Sequence, residues 1–165
     1  VKTIEDMMAP YIEVKAGSCA QGDGNVVAML IMSIHGDDRP VVLAWMEPTD
    51  ALPGAVVDLR AQFGPITQAA MLADAAMRHY PPETSAADIA RGSVLQARAE
   101  GDMTVRDCLV GYLVREDGSI ESAIYPYHLG DQGELVLDAD PMVKAGDYQG
   151  SHGLVPDALA ALVAS

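Results

Sequence analysis

The sequence predicts an α+β fold, a mainly antiparallel sheet with helices packed on it, and three observations point there. Two near-continuous apolar runs, residues 26–34 (with Ser33 as the one polar residue) and 41–46, flank a polar turn at 35–40. A second pair of strand-like runs, 107–115 and 120–127, is joined through Asp117-Gly118, the residue pair that supplies the positive backbone angles of a tight hairpin. Between and after these blocks lie stretches with helix punctuation.

Taken in order, residues 11–16 alternate Ile12, Val14 and Ala16 with Glu13 and Lys15, the pattern of a half-exposed N-terminal strand. Residues 17–25, with three glycines, read as a loop. The first hairpin follows. Residues 47–54, with Pro48 and Pro53, read as irregular, and 55–63 allow a short helix. Gly64-Pro65 then opens the first of two central helices, because Pro suits the first helical turn. Ile66, Ala69, Ala70, Ala73 and Met77 form its stripe, and Pro81-Pro82 end it. Ser85, with Asp88 three residues on, caps the second. That helix either runs to Ala99 or stops at Gly92 with 93–99 extended; the Ala and Arg content favours the longer form. Residues 107–115, 120–127 and 134–138 make a C-terminal three-stranded meander, in which Pro126 marks an edge or a bulge. Gly- and Asp-rich chain at 140–153 precedes a short C-terminal helix at 156–163. With no linker and no fixed-period repeat, residues 1–165 read as a single domain.

The first hairpin carries the strongest constraint. A strand wet on one side alternates apolar and polar residues, and neither run does. Val27, Met29 and Ile31 share one face of the first run, opposite Ala28, Leu30 and Met32; Val42 and Met46 share one face of the second. Leaving those five wet forgoes about 1.5–3 kcal/mol each. Three kinds of cover exist: the chain's own ends, helices split between both faces, or a second protomer. The last makes a homodimer the expected assembly, with Val27, Met29, Ile31, Val42 and Met46 as interface candidates. Tyr125 and Tyr127, the main aromatic cluster, join that set because Tyr is favoured at interfaces.

Charge narrows the partners. The chain carries −14 at pH 7, and from Glu116 onward it holds nine acids against the single base Lys144. Such a surface repels phosphate backbones, so direct nucleic-acid binding is not expected. Solubility explains most of the acidity. A more specific reading is an acidic face that docks a basic protein, one version being an inhibitor that imitates a phosphate backbone. The longest largely apolar run, residues 26–34 with Ser33 inside it, is about half a membrane span, and the start lacks a secretory apolar core, so a soluble, cytoplasmic chain is expected. The first residue is Val, consistent with processing or trimming.

Candidate chemistry is sparse. His35, Asp37 and Asp38 share one turn, and His128 and Asp131 share another. If the two loops met, their imidazoles and carboxylates would suit a divalent ion or acid–base work in a small metal-dependent hydrolase. Taken singly, each is an ordinary polar turn. His79, at the expected end of the first central helix, and His152, between glycines and serine, call for no functional role. Cys19 and Cys108 lack any C-x-x-C or metal-ligand spacing; Cys108 is expected to be a buried thiol, Cys19 falls in a segment read as loop, which allows exposure, and two cysteines 89 positions apart do not imply a disulfide. No nucleotide-binding or nucleophile-elbow motif occurs, and no cofactor is expected. The leading expectation is therefore a non-enzymatic acidic interaction and assembly module. The metal-dependent hydrolase and a small-ligand sensor with a pocket between sheet and helices are the alternatives.

Overall fold

Helices cover both faces of one antiparallel sheet. The computed structural model describes residues 2–78, 80–91, 97, 99–102, 105–138 and 140–164, and of residues 89–91 the backbone alone. In chain order the elements are α1 (Ile4–Ala20), β1 (Ala28–Ile34), β2 (Val41–Trp45), a 3-10 turn (Thr49–Ala51), α2 (Leu52–Phe63), β3 (Ile66–Arg78), α3 (Ala86–Arg91), β4 (Val105–Arg115), β5 (Ser119–Leu129), β6 (Leu135–Leu137), β7 (Met142–Asp147) and α4 (Leu154–Val163). The strand order is β2-β1-β3-β4-β5, and the outer side of β5 is shared by β7 on its first half and β6 on its second.

On one face, Ile4, Met7, Met8 and Tyr11 of α1 pack on Ala70, Leu72, Leu109, Leu113, Ala123 and Tyr125. On the other, Leu52, Val56 and Leu59 of α2 and Leu159 and Leu162 of α4 pack on Leu30, Met32, Ala69, Met71 and Val114. The two sets on each strand are alternate residues, as a pleated sheet requires. This is the split-helix form of cover for the first hairpin, and it is incomplete, as described below.

Two expected elements are corrected. Residues 11–16 are not an N-terminal strand but the middle of α1. The alternation there is local; the longer period Ile4, Met7, Met8, Tyr11, Lys15, Cys19 is helical, and these are the buried residues of the helix. Thr3 begins it: its hydroxyl accepts from the Asp6 backbone N–H, and the Asp6 carboxylate accepts from the Thr3 N–H. The first of the two central helices is likewise absent. Its residues form β3, the 13-residue central strand, paired to β1 on one side and β4 on the other. Alanine's helix preference loses here because tertiary pairing outweighs a propensity of under 1 kcal/mol per residue. A strand covered on both faces reads as near-continuous apolar sequence, and its alanines let helices approach from both sides.

The second central helix starts as expected, with the Asp88 N–H donating to the Ser85 hydroxyl at 3.1 Å. Its disputed extension, 92–96 and 98, lies outside the described residues, as does His79. The second hairpin turns at Gly118, φ +85°, and Pro126 sits inside β5 opposite Cys108. The chain at 140–153 is not wholly irregular, since it contains β7.

Helix α1 crosses the sheet over Gly111. A Cβ there would meet Ile4 Cδ1 and Met8 Sδ, each at 2.8 Å. Gly111→Val is therefore expected to lower stability by about 1–3 kcal/mol through overpacking, with Gly111→Ala costing less because both touching groups are flexible ends. Urea unfolding of the two variants checks the ranking.

Candidate protein interface

The coverage by α1 is centred on β4 and β5, because both of its ends are tied there or to the adjoining β3. At its start, the Ile4 N–H donates to Glu121 Oε1 at 3.1 Å, and Glu121 is ion-paired with Arg115. Arg115 also donates to the Lys2 carbonyl. A carboxylate at a helix N-terminus meets orphan N–H groups and the positive end of the dipole. Near its other end Lys15, 4% exposed, is the single buried charged residue among those described. Its ammonium donates to Asp74 Oδ2 at 2.7 Å and to the Gly24 carbonyl, and lies 5.0 Å from the centroid of the Tyr127 ring. Tyr127 in turn donates its hydroxyl proton to Asp74 Oδ1 at 2.7 Å. Two hydrogen bonds and the ring contact make this cluster a fastening of α1 and the loop after it to β3.

The same surroundings tune nearby acids. Burial, then the Asp74 charge, pushes Tyr11 up to about 12. Burial, then Asp74 and Asp107, pushes the Cys108 thiol up to about 11. Both cysteines are free and buried, which corrects the reading that allowed an exposed Cys19. Native protein should resist thiol-specific alkylation at both positions, with full reaction only after denaturation. Mass spectrometry after an iodoacetamide pulse reads this directly.

The five hairpin residues predicted as an interface are brought together. Register pairs Met29 with Ala44 and Ile31 with Val42, placing them on the α1 side of β1 and β2. Helix α1 stops short of this flank. Met29 and Ile31 are half-buried against its margin, beside Ile12 and Val26, whereas Val27, Val42 and Met46 are 44%, 48% and 80% exposed. Tyr125 and Tyr127 do not belong with them. They point from β5 beneath α1 and are buried, Tyr127 as part of the Lys15 fastening.

Strand β2 is also an end of the sheet. Its sequence, Val-Val-Leu-Ala-Trp, contains no charge and no proline, the devices that usually blunt an exposed edge. The opposite edge differs: β7 contains Lys144 and Asp147. Arg39 and Glu47, two positions beyond either end of β2, are exposed and have no ion-pair partner among the described residues.

The two histidine turns do not meet. His35 lies in the β1–β2 turn at the sheet end that holds Pro65, whose carbonyl accepts from the His35 N–H. His128 lies near the end of β5, beyond Tyr127, which pairs with Asp107 at the start of β4. In an antiparallel sheet whose register matches Ile34 with Ile66 and Gln68 with Arg115, these are opposite ends. Asp37 is occupied within its own turn, accepting from the Arg39 N–H at 2.9 Å; Asp38 stays on the surface. His128 Nδ1 contacts Asp138, not Asp131, which lies exposed in the turn after β5. Among the described residues no three His, Cys, Asp or Glu side chains are grouped to hold a metal ion.

One feature escaped the sequence, the Lys15, Asp74 and Tyr127 cluster, whose only signal was a lysine at a core position of a helical stripe. A cleft of about 360 Å³ lies between the sheet and the start of α4, the kind of place where the small-ligand alternative puts its pocket, lined by Met71, Ala73, Tyr112, Thr49, Asp50 and His152. His152 is held by its N–H to Asp157 at 2.9 Å, and Tyr148 donates to the same carboxylate oxygen at 2.6 Å. These bonds hold Asp157 below the usual carboxylate range, the Tyr148 hydroxyl first.

Breaking the Lys15 fastening one partner at a time is expected to cost more than removing both. Lys15→Met leaves a partly exposed carboxylate, for a loss of about 2–4 kcal/mol, while Lys15→Met with Asp74→Leu loses less. Chemical denaturation in a double-mutant cycle measures the difference. Comparison of the chain with protein-family models, with curated proteins and with solved structures yields no match. No helix among the described residues is long and apolar enough to cross a membrane.

Proposed function

We propose that this protein is a non-enzymatic assembly module that self-associates through the β1–β2 side of its sheet and presents an acidic surface to a protein partner. The observation that carries the reading is the uncharged, unpaired β2 edge lying beside the uncovered Val27, Val42 and Met46 flank. A hydrophobic edge with open backbone donors and acceptors is a template for another strand. Burying the flank returns part of the about 1.5–3 kcal/mol that each exposed side chain forgoes. The net charge of −14 supports the second half of the reading: a basic partner is steered to the surface and its binding weakens as salt rises. A metal-dependent hydrolase built on both histidine turns has no common pocket to work in, since the turns occupy opposite ends of the sheet.

Sedimentation velocity at micromolar concentration tests self-association. The expected species has twice the 17.4 kDa chain mass, and Val42→Glu shifts it to one chain without changing the far-UV circular dichroism. A strict monomer across that range overturns the proposal.

A further inference from the structure

Resting on the self-association proposed above, we infer that two copies join β2 to β2 antiparallel about a two-fold axis through Leu43, oriented by a pair of reciprocal Arg39–Glu47 ion pairs. The sequence around Leu43 is what selects this register. Antiparallel self-pairing centred on residue 43 sets Val41 opposite Trp45 of the other copy, Val42 opposite Ala44, and Arg39 opposite Glu47. Residues facing one another across an antiparallel pair lie on the same side of the sheet. Arg39 and Glu47 lie in bends two positions outside the strand, where the pleat no longer fixes a face, and the symmetry brings them to the same end of the seam, twice. Both are exposed and neither has an ion-pair partner among the described residues of its own chain.

Apolar matching agrees with the charges. On the α1 side, Val42 gains Ala44 of the second copy as its neighbour, and Met46, the most exposed residue of the flank, gains Pro40. A shift of two residues in either direction removes both coincidences: Arg39 would face Trp45 or Thr49 of the other copy, and Glu47 would lose its cation. The far side of the sheet offers no equivalent. In β7, Lys144 and Asp147 are separated by Ala145-Gly146, an odd spacing that puts them on opposite faces of the strand. A two-fold axis cannot bring such a pair together as direct opposites on one face. The product of the β2 union is a continuous sheet through both copies, with the two α1 helices on the same side.

Two readouts separate this register from self-association as such. Arg39→Glu or Glu47→Arg alone places like charges opposite and is expected to weaken dimerisation about tenfold; the double variant R39E/E47R restores it to about the wild-type value. Leu43→Cys is expected to form an intermolecular disulfide under mild oxidation, since the axis sets residue 43 against itself. Val57→Cys, on the exposed side of α2 at 77% exposure, is the collision control and should not. A wild-type dimer that ignores both charge variants and fails to cross-link at position 43 overturns the register while leaving self-association standing. A wild-type monomer overturns both. Tenfold weakening by either single variant without recovery in the double variant also overturns the ion pairing, since loss of fold alone is not reversed by exchanging the charges.

Discussion

Everything about this molecule's exposed surface follows from where α1 is tied down. The helix is fixed at its start by Glu121 and Arg115 and near its end by Lys15 with Asp74 and Tyr127. Its middle presses on Gly111, where a side chain would not fit without displacement. One ion pair, a set of charge-assisted backbone hydrogen bonds and one close contact thus define a line over β4 and its neighbours. Ion pairs so placed are poor sources of net stability, because desolvation offsets much of their attraction. Their effect is geometric: a helix fastened at both ends cannot slide sideways to cover another part of the sheet.

That line determines what remains bare. The sheet has five strand positions before the shared β6 and β7 side, and a single helix spans at most two or three strands at spacings near 4.8 Å. With α1 over the centre, Ala70, Leu72 and Leu109 are sealed, β1 is half-sealed, and the outer face of β2 is left open. The opposite face does not share the problem, since α2 and α4 together reach Leu30, Met32 and the margins of Val41, Leu43 and Trp45. Among the described residues no element covers this apolar flank, and it adjoins the edge that lacks charge.

Much of this was legible in the sequence, and the failures have a common cause. The first hairpin, its two faces and its need for cover came from a near-continuous apolar pattern, which survives any tertiary context. The second hairpin came from Asp117-Gly118, a local turn requirement. Where local and long-range signals competed, the reading went wrong. In β3 the alanines at 69, 70, 73, 75 and 76 favour a helix in isolation, and only pairing on two sides turns them into a strand. In α1 a short alternation around Glu13 and Lys15 hid a helical period that includes a buried lysine, and lysine is rarely counted as core. The misplacement of Tyr125 and Tyr127 followed from the second error. Without a helix over β5, two tyrosines on one face look like a surface; beneath α1 they are its footing. Strand β7 escaped because Gly146 and Asp147 resemble loop, and nothing short of the register with β5 reveals its pairing.

The acidity that dominates the composition has less to say about association than its size suggests. At physiological ionic strength charges more than about 8 Å apart are largely screened, so in the proposed β2 pairing two copies would sense mainly the residues along that seam. The strand itself contributes none, and one turn bond already occupies Asp37. What stays near the seam is Arg39 beside the exposed Asp38 at one end and Glu47 at the other, on a chain where bases are outnumbered more than two to one. In such a chain a lone arginine at the mouth of an uncharged edge is informative because cations are scarce. In the proposed union the seam residues, not the bulk of the carboxylates, would select the register, and the excess negative charge would add only a general, salt-dependent repulsion between copies.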